Sequence, residues 1–194
     1  MHETNVNNVT DNKNTLLNTE TSDQTQSSAE IAHHGEDAVN AGLLHPDLLV
    51  PGLEANGKIE VIKHLIDRLH EQGVIDDSLA FLQAVLEREN LQSTVIDEMI
   101  ALPHARGRMV KRLGVAIGTR ADCSIEFPSG DERHDVGIIC LIAVPADAPG
   151  LYLKLIGVLA RAFSDRAFVD TLIATQDAPQ MHQLLTDRLE ICGL

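Results

Sequence analysis

The sequence predicts an α/β or α+β fold, in which the strands of a sheet are interleaved with helices, behind a polar arm that stays outside the core. Three observations carry that prediction. Two β-rich apolar runs, Leu113-Gly114-Val115-Ala116-Ile117 and the near-continuous Val136 to Val144, are flanked by segments with helical apolar spacing. Residues 1–41 are dominated by Asn, Thr, Ser, Gln, Asp and Glu, whereas 42–194 carry the periodic apolar faces. The chain of 194 residues is 44% hydrophobic but only 3% aromatic, so its one substantial core must be aliphatic.

Taken in order, residues 1–41 have no apolar face able to offset the entropy of ordering them, and they are expected to be disordered. His33 and His34 within this arm are adjacent and do not share a helix face, so no metal site is expected there. Leu48-Leu49-Val50 before Pro51-Gly52 reads as a short strand, and Asn56-Gly57 as a turn leading into a helix. Ile59, Ile62, Leu65, Ile66 and Leu69 mark that helix, which Gly73 ends; His64 and His70 read as surface or boundary residues. A second helix follows with Asp77 or Ser78 as N-cap and a stripe of Leu79, Leu82, Val85 and Leu86, closing near Glu89-Asn90. After the apolar run that stops at Pro103 come the two β-rich runs, with Pro128-Ser129-Gly130-Asp131 as a turn between them and His134 as a turn or strand-entry residue. Pro149-Gly150 opens an amphipathic helix through Phe163; a shorter one spans about Phe168 to Ala174, and Met181 to Leu189 forms the last.

Composition excludes several classes of function. A net charge of −14 argues against nucleic-acid binding, which needs a basic face to release counterions, and favours basic protein partners or small substrates. Cys123, Cys140 and Cys192 are odd in number and lack metal-ligand spacing, so they read as reduced thiols. The start of the chain has no apolar signal region, and Val136 to Val144 is too short to span a bilayer, so a cytoplasmic protein without membrane insertion is expected.

The chemistry concentrates at Ile100-Ala101-Leu102-Pro103-His104-Ala105-Arg106-Gly107. Proline biases Leu102 toward extended backbone, which places His104 at the end of an element and near the surface. A neutral imidazole offers one lone pair for attack while its other nitrogen can be oriented by a hydrogen bond, which suits phosphoryl transfer. Arg88, Arg106, Arg108, Lys111 and Arg112 surround it in an otherwise acidic chain. A loop histidine beside a solvated basic face fits the same spacing. Arg88 could neutralise phosphate oxygens near a phosphorylated histidine, or could be a solvated arginine on its helix dipole. Asp135 and Asp147 read as solvated acids.

The order Phe81, then Val85-Leu86-Glu87-Arg88-Glu89, Ser93-Thr94, Ile100-Ala101-Leu102-Pro103-His104, Val115-Ala116-Ile117, Leu141-Ile142-Ala143-Val144-Pro145 and a helix ending Leu159-Ala160-Arg161 resembles the type-2 enzyme IIA domain of the bacterial phosphoenolpyruvate-dependent sugar phosphotransferase system. That family includes the fructose and mannitol IIA domains and the nitrogen-regulatory IIA protein. The likeness runs over roughly Leu44 to Leu189. It implies a domain over 42–194 with a mixed parallel and antiparallel sheet flanked by helices. It also implies that His104 is the phosphoacceptor supplied by the carrier protein HPr, that Arg88 stabilises the phosphate, and that no metal or organic cofactor takes part. The partner downstream would be a sugar-specific IIB domain or a regulated target protein.

Two departures stand out. Met99 occupies a position where the family usually has glycine, which would crowd a tight backbone. Tyr152 stands where many members have a second histidine; a phenol can donate a hydrogen bond but stays neutral. The implied function is therefore a phosphohistidine carrier in transport or regulation, with a non-transferring interaction module of degenerate site as the alternative.

Overall fold

The computed structural model describes residues 42–194 apart from 56, 98 and 129–132; the arm expected to be disordered, His33 and His34, Asn56 of the first turn and Ser129, Gly130 and Asp131 of the second lie outside the described residues. Eight strands and five helices of at least two turns occur among the described residues: β1 Leu49–Val50, α1 Lys58–Glu71, α2 Ser78–Leu91, β2 Val95–Asp97, β3 Ile100–Ala101, β4 His104–Gly107, β5 Gly114–Thr119, β6 Ile125–Glu126, β7 Asp135–Val136, β8 Ile138–Pro145, α3 Pro149–Phe163, α4 Arg166–Ala174 and α5 Ala178–Ile191.

The main sheet is mixed, as the family resemblance implies. β8 is its centre: β5 pairs with it antiparallel along six residues, and β3 and β4 pair with it in parallel on the other side. β1 extends the sheet beyond β5, and β2 beyond β3. Both faces are covered, which explains why β8 reads as an unbroken apolar run. Side chains alternate across it with the period of two that a strand imposes. Ile138, Cys140, Ile142 and Val144 pack with Leu155, Val158 and Leu159 of α3 and with residues of α4 and α5. Ile139, Leu141 and Ala143 pack with Val61, Ile62 and Leu65 of α1 and with Phe81 and Val85 of α2. On the α2 side the sheet presents Ala101, Ala105, Ala116 and Ala143, small side chains that let the helix lie close to β4.

Three expectations change. The second β-rich run begins at Ile138, because Val136 belongs to β7, which pairs with β6 in a separate two-stranded sheet. Gly137 divides them at a close approach, since a Cβ there would lie 2.6 Å from Cys123 Sγ. The stripe expected on α2 holds at Val85, which is buried, and at Leu82 and Leu86, which pack partly buried against the core, but Phe81 and Glu89 complete the buried face and Leu79 is 66% exposed. Asp77 caps that helix by accepting from the Ala80 N–H at 2.9 Å, an arrangement worth about 1 kcal/mol. Finally, Met99 does not occupy a glycine conformation: among the described residues Cys123 alone of the non-glycines has positive φ, and the Met99 carbonyl accepts from Gly137 N and Ile138 N while its side chain packs against the core. No helix among the described residues is long and apolar enough to cross a membrane.

Candidate functional site

Pro103 interrupts a strand without ending it. Ile100 and Ala101 face Ile138 and Ile139, and His104 and Ala105 face Ile142 and Ala143, so β3 and β4 hold one register against β8 across the break. The Pro103 carbonyl still accepts from Ile142 N at 2.9 Å, which bridges the gap left by the missing proline donor. His104 therefore opens a strand, where the sequence places it at an element's end. It is half-buried and fixed to the central strand of the sheet.

The break also sets the tautomer. The Leu102 carbonyl lies 3.0 Å from His104 Nδ1, and a carbonyl can only accept, so Nδ1 carries the proton and Nε2 the lone pair. Two donors converge on Nε2. Arg88 Nε donates to it at 3.2 Å, and the Tyr152 hydroxyl, 2.9 Å away, donates to it as well. The Tyr152 and His104 rings are tilted by 38° with centroids 5.1 Å apart.

Each neighbour is placed by its own element. Arg88 sits in the last turn of α2, where its Nη1 donates to the Gln92 carbonyl at 2.9 Å, so the guanidinium spans its own helix end and the imidazole. Tyr152 lies in the first turn of α3, which Pro149 starts only four residues after Pro145 closes β8. That short connection brings the tyrosine back over the strand end. Together with Ala84, Glu87, Leu91, Arg106 and Val144, these residues line an open cavity of about 430 Å³. Arg106, two residues along β4 from His104, shares its side of the strand. The other cations grouped near His104 in sequence serve elsewhere: Lys111 pairs with Asp76, and Arg112 donates to the carbonyls of Gly42 and Gln72, while Arg108 is exposed in a turn. His64, His70, Asp135 and Asp147 are exposed, and His134 lies beside β7, away from the cavity lining.

Burial lowers the His104 pKa from its ordinary value, and the Arg88 charge pushes the same way; the Leu102 hydrogen bond and the Glu89 carboxylate oppose them. Burial raises that of Tyr152, against Arg88. The arrangement is a neutral imidazole facing a neutral phenol. Because protonation consumes the Nε2 lone pair, nucleophilicity is lost only as pH falls through the lowered value. An NMR titration of the His104 ring is expected to reach its midpoint below the ordinary value of about 6.5. A midpoint above that value would contradict the buried, arginine-flanked site.

A mixed sheet flanked by helices, presenting one tautomer-fixed imidazole between an arginine and a hydrogen-bond donor at a cavity, places the molecule among α/β domains with a histidine-centred site. Comparison with known proteins specifies which: the family model for the phosphoenolpyruvate-dependent sugar phosphotransferase system, EIIA 2, matches residues 42–188, and the chain belongs to that family. The fructose-like EIIA component of Escherichia coli (strain K12) is 31% identical over 137 residues, 71% of this chain and 90% of that protein. A nitrogen regulatory protein of Bradyrhizobium diazoefficiens is 26% identical over 143 residues, 74% of this chain and 92% of its own length. The solved complex of Escherichia coli mannitol enzyme IIA with phosphorylated mannitol enzyme IIB shares the fold, with a TM-score of 0.60 and 22% identity over 74% of this chain and 97% of the matched chain.

Sequence reasoning names His104, Arg88 and Tyr152, and the structure brings all three to one atom, Nε2. It misses Glu89, which is 4% exposed beneath the site. The signal was present: Phe81, Val85 and Glu89 recur every four residues, which puts a carboxylate on the buried stripe of α2.

Proposed function

We propose that this chain is a phosphohistidine carrier, accepting a phosphoryl group from phospho-HPr on His104 Nε2 and passing it to a IIB domain or presenting it as a regulatory signal. The observation that carries the reading is the Leu102 carbonyl on Nδ1, which leaves Nε2 unprotonated and turned toward the cavity. In the transfer step the Nε2 lone pair forms a bond to phosphorus as the bond between phosphorus and the donor's imidazole nitrogen breaks. The departing electron pair returns to that nitrogen. The His104 ring gains positive character, and its Nδ1–H donates more strongly to the Leu102 carbonyl. Arg88 is placed to neutralise charge spread over the phosphoryl oxygens, and no cofactor or metal has a part in the step.

Tyr152 has two successive roles in this scheme. Its hydroxyl donates to Nε2 before transfer, leaves that lone pair as phosphorus approaches, and then donates to a phosphoryl oxygen. Loss of one such hydrogen bond in Tyr152→Phe is expected to slow acceptance about tenfold. Tyr152→His should accelerate it, since an imidazole can add positive charge beside the phosphate. Acceptance in Tyr152→Phe at or above the parent rate would show that the hydroxyl only obstructs.

The test is incubation with labelled phosphoenolpyruvate, enzyme I and HPr, followed by addition of a IIB domain. Label that is stable in alkali, lost in acid and passed to IIB supports the carrier. A folded chain that stays unlabelled beside a labelled control IIA domain would favour the non-transferring interaction module. The reaction belongs to the cytoplasm, where HPr and the regulated targets of this scheme reside; it involves neither nucleic acid nor membrane insertion.

A further inference from the structure

Glu89 occupies the buried stripe of α2 with Phe81 and Val85, and its side chain is wholly shielded from solvent. A carboxylate there is costly unless it is paired, and an apolar residue would fill the space without that cost. It has two partners. Lys58 Nζ, at the start of α1, lies 2.8 Å from Oε2, and the Thr94 hydroxyl donates to Oε1. Lys58 is itself held by donation to the Pro128 carbonyl at 3.2 Å and by the Phe127 ring, whose centroid is 4.5 Å from Nζ.

From Thr94 the connection continues to the imidazole. The Thr94 carbonyl accepts from Leu102 N at 3.0 Å, and the Leu102 carbonyl accepts from His104 Nδ1. In the other direction, Glu89 follows Arg88 directly, in the turn of helix from which the guanidinium reaches Nε2. One buried carboxylate thus anchors both the helix end that supplies the arginine and the segment whose carbonyl fixes the tautomer.

We propose that Glu89, through Thr94 and Lys58, is the positioning residue that holds Arg88 and the His104 imidazole in register with each other; the proposal rests on the phosphoacceptor reading above for its use. Thr94→Val removes the hydroxyl at almost constant volume, whereas Thr94→Ser keeps the hydroxyl and loses the methyl. In full-length chain with labelled histidine rings, the parent and Thr94→Ser should show the Nδ1–H tautomer of His104 and a protected Leu102 amide. Thr94→Val should move the ring-nitrogen shifts toward a mixture of tautomers, speed Leu102 amide exchange about tenfold and slow phosphoryl acceptance by a similar factor. Glu89→Gln, where it folds, should change the same signals further.

A folded Thr94→Val with the parent's ring-nitrogen shifts and Leu102 exchange would overturn the proposal. So would a Thr94→Ser that behaves like Thr94→Val, because methyl packing would then be the operative contact. The ring and amide signals need no phosphoryl donor, so a parent chain that takes no label would remove the carrier reading while this test still gave its answer.

Discussion

His104→Ala is expected to take no acid-labile label from phospho-HPr, a complete loss and not a slowing. Nε2 is the atom on which Arg88 and Tyr152 both converge, and the variant leaves no lone pair in that place. The scaffold should tolerate the change: His104 is half-buried at the cavity, while its neighbours Ala105 and Ile142 keep their packing. Far-ultraviolet circular dichroism and the thermal midpoint should therefore stay close to those of the parent. Label retained on His104→Ala at the parent level would place the acceptor elsewhere and end the proposal for this site.

Arg88→Ala should keep the acceptor and lose speed, by on the order of 100-fold to 1,000-fold in the rate of acceptance, the range typical when a donor aimed at developing charge is removed. Arg88→Lys should recover only part of that. Lysine supplies the charge but not the fork that reaches the Gln92 carbonyl and Nε2 together. Single-turnover labelling by phospho-HPr separates the two variants, and the final extent of labelling tells whether the carrier's equilibrium has moved as well as its rate. An Arg88→Ala chain labelling at the parent rate would assign the arginine to the helix end alone.

The helices were legible because each carries many apolar residues at a fixed period, and caps such as Asp77 mark their starts. The face of α2 was less so. The expected stripe of Leu79, Leu82, Val85 and Leu86 catches Val85, and only the sheet beside the helix decides that Phe81 and Glu89 turn inward with it while Leu79 faces out. Strands β2, β3, β4 and β6 run only two to four residues, too short for alternation to declare itself. For the site, the motif around Pro103 pointed to His104, and the likeness of residue order to a family pointed to Arg88 and Tyr152. Their convergence was not readable from spacing, since Tyr152 is 48 residues from His104 and meets it only through the fold. The tautomer was hidden for a similar reason: it depends on the main-chain carbonyl of Leu102, in the break between β3 and β4, where the Leu102 N–H donates to the Thr94 carbonyl.

Because β3 and β4 keep one register against β8 on either side of Pro103, the histidine is fastened to the buried central strand of the sheet. On the proposed chemistry, gaining or losing a phosphoryl group changes a side chain while the main chain beneath it has no second pairing to adopt. The free and charged forms then differ in electrostatic potential at one spot and not in the path of the backbone. A protein that tells them apart must do so by feeling dianionic charge, as a counter-ion does, and its grip on this chain should weaken with added salt.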